Sequence, residues 1–562
     1  MAAIAPLSEV DASAEAEKIM DGISDLPKAI LHNILARLPD KDSARTSVLS
    51  KAWRETWCTF PILSICSYQF FRSQDVTVEN SHSLIDKVID YVGRRLLSLR
   101  DRGLAIKEFK LMLDYVDNEY MSHHLDLWLK MAIESGCEVL QLCLHRGFLG
   151  AEYSQDRFYD LPLSVTVSKS LIKLELTGGI RVDQAFLTHS IMLYSVRILT
   201  LCNLIFTRDG IIDHLISHCP LIEVLTVKYC VVYNPLSIGN PQVSRFNKVN
   251  SLFLHGLHKL KRANVQGIKE VYIDAPNLEV LQFFHRTSNH PNASFKLNLD
   301  GFTNLRWLCL WSWKISDIGD KWFLELFSKL PFLEDLDLRG CSLSERISIM
   351  SAQLKVLGLS NCSNVKEVNV DAPNLLSLVY RGKNQPVISF RRTSNELEVK
   401  VSLCSLRNCL QNIKPQNILA SVSLFIYQSF PIEPMHGAFQ VSSIPPTVRH
   451  LELGCAPENE ALYFPFMNYL FSSCCPKLIT FKLSSNKVDR KAFIEFLYEV
   501  LMGRKEGKCH CSSSNTKCWW HALKIVKVTC SFKFDENADL KSILDALPKC
   551  YSNEKITFML EL

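Results

Sequence analysis

Apolar residues recur along this chain with two distinct periods. In residues 21–57, DGISDLPKAILHNILARLPDKDSARTSVLSKAWRETW, the positions Leu26, Ile30, Leu31, Ile34, Leu35 and Leu38 follow the steps of an amphipathic helix. Asp25 is the expected N-cap, and Pro27 falls in the first turn, where its missing N–H costs little. Pro39 ends that helix, and Asp40 is placed to cap a second one through Arg45, Val48 and Leu49. Ser50 then opens a third turn carrying Trp53 and Trp57. Three helices this short carry more apolar surface than they can bury among themselves, and a module of about 40 residues is marginal without a staple or a partner. The pattern predicts a docking unit. A longer helix is expected over 81–102, with Leu84, Val88, Tyr91 and Val92 on one face.

Further along, the period changes to L-x-x-L-x-L-x-x-(C/N/L). Clear copies begin at Leu171, Val196, Ile222, Val249, Leu278, Leu305, Leu333, Leu354, Leu375, Val448 and Leu478, and most neighbouring starts differ by 21 to 29 residues. That is the spacing of leucine-rich repeats. The wide gap at 376–447 must hold degenerate copies or insertions. Two blocks are nearly verbatim, IDAPNLEVLQF at 273–283 and VDAPNLLSLVY at 370–380. Each unit is expected to lay down one strand, turn, and return through a helix or irregular segment, so that stability builds by stacking one coil on the next. Cys230, Cys341 and Cys362 fall at the ninth repeat position and are expected to be half-buried structural thiols that meet neighbouring backbone.

The first segment resembles the F-box. Leu26-Pro27, the Ile30–Leu38 helix and Ser50-Lys51-Ala52-Trp53-Arg54 stand in the family's order, and the run from Arg45 to Ser50 is typical of its plant branch. The resemblance implies binding to a Skp-type adaptor, and through it to a cullin and a RING subunit. It also implies an adaptor-binding surface of Leu26, Pro27, Ile30, Leu35, Leu38, Val48, Leu49 and Trp53. The repeats are similar to the leucine-rich region of plant F-box/LRR proteins, and the end of the chain resembles their FBD-like terminus, with considerable departures. The expected fold is α/β: an N-terminal three-helix F-box followed by a leucine-rich-repeat solenoid, a horseshoe, with a C-terminal capping unit. The boundaries read as a disordered tail at 1–19, the F-box at 20–66, a linker helix region at 67–104, the solenoid at 105–500 and the cap at 501–562.

Composition narrows the function without naming it. No run of apolar residues is long enough to span a membrane, and the Ala- and Glu-rich start lacks the basic-then-apolar order of a signal peptide. Twenty cysteines without small-domain spacing suggest free thiols in a reducing compartment, the cytoplasm, the nucleus or both. A net charge of +5 spread along the chain gives no reason to expect nucleic-acid binding. The densest basic patch, Arg94, Arg95, Arg100 and Arg102, reads as a solvated helix face. Cys509, His510, Cys511, Cys518 and His521 do not have the spacing of a zinc finger or RING, so no metal site and no cofactor are expected. No nucleotide-loop, hydrolase-elbow or zinc-protease motif is present, and the chain is expected to be a non-catalytic subunit.

The repeat register also predicts a binding surface. If the first, fourth and sixth positions point inward, the third, fifth and seventh line the concave face. That places Phe253, Phe284, Trp307 and Trp311 on successive coils, flanked by Lys228, Asp337 and Arg339. Exposed aromatics of this kind favour a protein substrate. The reading is thus a substrate-recognition subunit of a Skp–cullin–F-box ligase. Two alternatives stay open: a leucine-rich interaction scaffold outside any ligase, and a small-molecule co-receptor.

Overall fold

The structure is a computed structural model. It describes residues 26–70, 81–114, 118–145, 158–233, 246–268, 270–285, 301–312, 318–382, 386–402, 412–414, 422–426, 445–454, 456–457, 459–483, 490–503, 519–530 and 554–561. The chain falls into two compact units, Met1–Ala275 and Pro276–Leu562.

Among the described residues the first unit begins with three helices, α1 (Lys28–Leu35), α2 (Asp40–Thr46) and α3 (Lys51–Cys58). Pro27 stands at the N-cap of α1, which leaves Asp25 outside the described residues. Pro39, not Asp40, caps α2, and Asp40 is instead the first residue inside that helix. Ser50 caps α3 as its position predicts, its hydroxyl accepting from the Trp53 N–H at 3.2 Å. Leu31, Leu35, Trp53 and Phe60 form the small core between these helices. The helix α4 (Ser81–Asp101) follows, and then the sheet.

Seven parallel strands make the main sheet of this unit among the described residues: Ile62–Cys66, Glu108–Asp114, Val139–His145, Lys173–Gly178, Ile198–Cys202, Val224–Lys228 and Arg262–Gln266. Alternate residues such as Leu174, Leu176, Leu199, Leu201, Leu225 and Val227 are buried, each stacked on its counterpart in the next coil. Burying each such side chain contributes about 1.5–3 kcal/mol. The chain turns sharply at the ends of the last four of these strands, in the left-handed region at Gly178, Asn203, Tyr229 and Gly267. At Gly178 a Cβ would stand 2.0 Å from the Leu144 carbonyl oxygen, so the close approach of two coils excludes any side chain there.

The second unit repeats this design. Nine parallel strands run Val280–His285, Trp307–Ser312, Asp335–Arg339, Val356–Ser360, Ser377–Arg381, Glu398–Ser402, Val422–Ile426, Thr447–Leu453 and Cys475–Leu483. The strands Glu398–Ser402 and Val422–Ile426 occupy the 376–447 gap, so degenerate copies do lie there. A change of direction closes the sheet: Glu554–Glu561 pairs antiparallel with Cys475–Leu483 and with Ile525–Cys530. The expected helix through Leu540, Ile543, Leu544 and Leu547 lies outside the described residues, as do Cys509, His510, Cys511 and Cys518.

Coil length decides how each coil returns. The 28-residue step from Leu305 to Leu333 has room for a helix, Asp320–Lys329. The 21-residue steps from Leu333 to Leu354 and on to Leu375 do not, and they return as extended strands, Arg346–Met350 and Glu367–Asp371. An extended residue covers about twice the length of a helical one, so a short coil can close only this way. These strands belong to a second parallel sheet with Val387–Phe390 and Ile413–Lys414. The ninth-position cysteines meet neighbouring backbone as expected but are fully rather than half buried: the Cys230, Cys341 and Cys362 thiols donate to Leu201, Leu310 and Leu338 carbonyls of the neighbouring coil at 3.4, 3.8 and 3.5 Å.

Candidate functional site

Two surfaces hold the residues that the sequence singles out. On the helical module, apolar side chains divide sharply. Val48 and Leu49 are 84% and 67% exposed, and Leu26, Pro27, Ile30 and Leu38 are exposed as well. Leu35 and Trp53 are not on that surface: both are buried, packed with Leu31 and Phe60. Their assignment to a contact surface is corrected by geometry. Leu35 lies one turn beyond Leu31 on the inward stripe of α1, and Trp53 is the tryptophan of α3 that enters the centre of this small core, while Trp57 packs partly buried against it. Val48 and Leu49 stand beyond the last turn of α2, where no helix of the module covers them.

A polar clamp fixes this module to α4. Arg95 is buried, and its guanidinium donates to the Trp57 and Phe60 carbonyls at 2.7 and 3.1 Å and lies 4.4 Å from the centre of the Trp57 ring. It thereby adds a charged donor to carbonyls at the end of α3 and just beyond it, the Trp57 carbonyl also accepting from the Phe60 N–H at 3.2 Å. Beside it the Tyr91 hydroxyl donates to the Asp40 carboxylate. Burial pushes the Asp40 carboxyl above the usual range, while the Tyr91 hydrogen bond and the Arg95 charge pull it down. Arg95 therefore departs from the solvated basic face expected of it. Sequence periodicity had no way to show this, because the carbonyls that hold Arg95 lie some 35–38 residues away in the chain.

The second surface is the open face of the main sheet in the Pro276–Leu562 unit. Strand register aligns Phe284, Trp311, Arg339, Ser360 and Arg381 in one row. The row beside it holds Gln282, Cys309, Asp337, Gly358 and Val379, and Trp307 aligns with Asp335 in a third. Phe284 is buried, its ring centre 4.4 Å from that of the 41% exposed Trp311, and Trp307 is half-buried. Asp337 accepts from Arg339 Nε at 2.8 Å and Nη2 at 2.6 Å, which holds the guanidinium 6.0 Å from the Trp311 ring centre. Gly358 makes this possible, since a Cβ there would lie 2.6 Å from Asp337 Oδ1. The Cys309 thiol is pushed up to about 12, by burial first and by the Asp337 charge second, so it is no nucleophile.

Phe253 and Lys228 belong to the first unit and do not share one sheet. Lys228 ends the Val224–Lys228 strand of the main sheet. Phe253 lies on Ser251–Leu254, which among the described residues pairs with Glu270–Ile273 in a separate two-stranded sheet, where its ring stacks on Tyr272 at 4.8 Å. The Val249 copy is therefore an outer strand, and the main-sheet strand of that coil is Arg262–Gln266. The outer strand carries the better L-x-L pattern, and Ala263 and Val265 in KRANVQ are too small to stand out in a search for leucines.

An N-terminal helical module with an exposed apolar rim, followed by parallel coils, defines a two-part chain. Residues 23–65 match the F-box domain family, and residues 99–292 and 290–531 match the At1g61320/AtMIF1, LRR domain family. The chain belongs to the plant F-box/LRR family. Among its relatives in Arabidopsis thaliana, F-box/LRR-repeat protein 13 is 28% identical over 50% of this chain and 55% of its own length. F-box/FBD/LRR-repeat protein At2g26030 is 28% identical over 47% of this chain and 53% of its own length. The chain thus spans about half the length of these curated relatives. The putative F-box/FBD/LRR-repeat protein At2g05300 is 26% identical over 69% of this chain and 82% of its own. A solved LRR protein of Leptospira interrogans, 12% identical with a TM-score of 0.29 over 66% of this chain and 89% of its own, is too distant to bear on the fold.

Proposed function

We propose that this chain is a substrate receptor of a Skp–cullin–F-box ubiquitin ligase, acting in the cytoplasm, the nucleus or both. One observation carries the reading: within the F-box match, Val48 and Leu49 stand largely in solvent, and Leu26, Ile30 and Leu38 are exposed as well. Apolar side chains left out of a core that lies a few ångströms away favour a partner helix laid across them. The coils would then hold the substrate, with Trp307, Trp311, Asp337 and Arg339 on the sheet's open face and Phe284 as the wall behind Trp311. The chain's contribution is proximity. Tethering a substrate near a ubiquitin-loaded enzyme raises its effective concentration without any catalytic group here. Residues 501–562 are read as an FBD-like cap.

Co-expression with a Skp-type adaptor, followed by size-exclusion chromatography, tests the first half. The wild-type chain should elute with the adaptor, and a Val48→Ser/Leu49→Ser variant should elute alone while keeping its helical circular dichroism. A folded wild-type chain that never meets the adaptor would overturn the ligase reading in favour of a scaffold.

A further inference from the structure

The open face of the second unit is polarised in a way that selects its occupant. Of the two cations in the Phe284–Trp311–Arg339–Ser360–Arg381 row, Arg339 is already neutralised by Asp337. Arg381 is exposed and has no carboxylate partner among the described residues. Lys400, the next cation across the sheet, is paired with Glu398 at 2.8 Å. Among the described residues of this row, Arg381 is therefore the one cation without a carboxylate, about 10 Å (two strand spacings) from Arg339, with the Ser360 position between them. On the other side stands the exposed Trp311 ring, backed by Phe284.

We infer that this row binds a peptide segment in which an Asp or Glu side chain follows or precedes a large apolar residue. The apolar side chain packs on Trp311, and the carboxylate is held by Arg381, with the free edge of the Arg339 fork in reach. Arginine suits this task because its planar fork meets a carboxylate with two parallel hydrogen bonds. The charge count favours a monoanion over a phosphoryl group: one uncompensated cation balances one carboxylate, whereas a phosphate brings about −1.5 to −2 charges close to Asp337. The inference rests on the proposal that this face holds the substrate, and it adds the substrate's chemistry.

The test is selection of a random-peptide phage library on the immobilised full chain, with Arg381→Gln and Trp311→Ser chains in parallel. Wild type should enrich peptides with an acidic residue beside an aromatic or leucine. Synthetic copies of those peptides should bind about tenfold more weakly to Arg381→Gln, and Arg381→Lys should restore part of the loss. Arg346→Gln, on the second sheet, should change nothing. Neutral peptides that need Trp311 but ignore Arg381 would overturn the acidic specificity and leave the receptor face standing. Peptides whose binding needs neither residue would overturn both. Tighter binding when the acidic residue is exchanged for phosphoserine would replace the carboxylate with a phosphate.

Discussion

The helical module and the repeats treat the same kind of residue in opposite ways. In a repeat, every inward aliphatic meets its counterpart in the next coil, and Leu336, Leu357 and Leu378 are all fully buried in register. The module has no next coil, so once Leu31, Leu35, Trp53 and Phe60 have filled its core, Val48, Leu49 and Ile30 remain outside. An exposed leucine in the module is therefore the expected surplus of a small fold. An exposed tryptophan on the sheet lies outside the inward positions that the repeat gives its apolar side chains. The first points to a generic partner that completes the core, and the second to a specific one.

The largest effect should come from erasing the contrast within the module. Trp53→Ala empties its centre and should cost about 3–5 kcal/mol, seen as early loss of the module's helical signal on heating. Val48→Ser/Leu49→Ser should shift stability by no more than about 0.5 kcal/mol while abolishing co-elution with the adaptor. If both changes unfold the module equally, the division into core and rim is wrong. Next in size is Arg95→Met, which takes the guanidinium from the Trp57, Cys58 and Phe60 carbonyls and its charge from near Asp40, at about 3 kcal/mol. Hydrogen exchange should then rise in both α3 and α4.

Asp40 gives this junction a pH dependence of definite sign. Its carboxyl in the folded chain titrates above the ordinary value of 3.8, so folding favours the protonated form. The stabilisation is complete below 3.8 and is lost as pH rises through the folded value. Asp40→Asn has no proton to lose. Thermal melts of the two chains across the acid range should show the wild type losing ground to the variant as pH increases. The opposite slope would mean that Arg95, not burial, governs the carboxylate.

How much of this was legible in the sequence depends on where the deciding contact lies. The F-box helices, the Ser50 cap, ten of the eleven quoted repeats and the buried ninth-position cysteines all follow from residues a few positions apart, because helices, strands and turns are local. Three features were not legible. Leu35 and Trp53 share a periodicity with the exposed residues, and only the assembled core divides them. Arg95 is one arginine among four until distant carbonyls close round it. The Val249 copy matches the repeat pattern, yet strands outside the main sheet obey the same alternation, so the pattern cannot tell the two sheets apart.

On the sheet, the expected effects are smaller and more selective. Trp311→Ser removes a half-exposed ring from Phe284 and Arg339 and should cost about 1 kcal/mol of stability, while lowering peptide affinity about tenfold. Loss of solubility in place of affinity would make Trp311 a packing residue. Phe253→Ser supplies the matching control and the smallest change. Its ring is 44% exposed and stacks on Tyr272, an interaction worth about 0.5–1 kcal/mol. Because its strand pairs with Glu270–Ile273 and not with the main sheet, selection of peptides should be unchanged. A drop in peptide capture with Phe253→Ser equal to that with Trp311→Ser would show that exposure of an aromatic ring, and not its place in the charged row, is what the ligand reads.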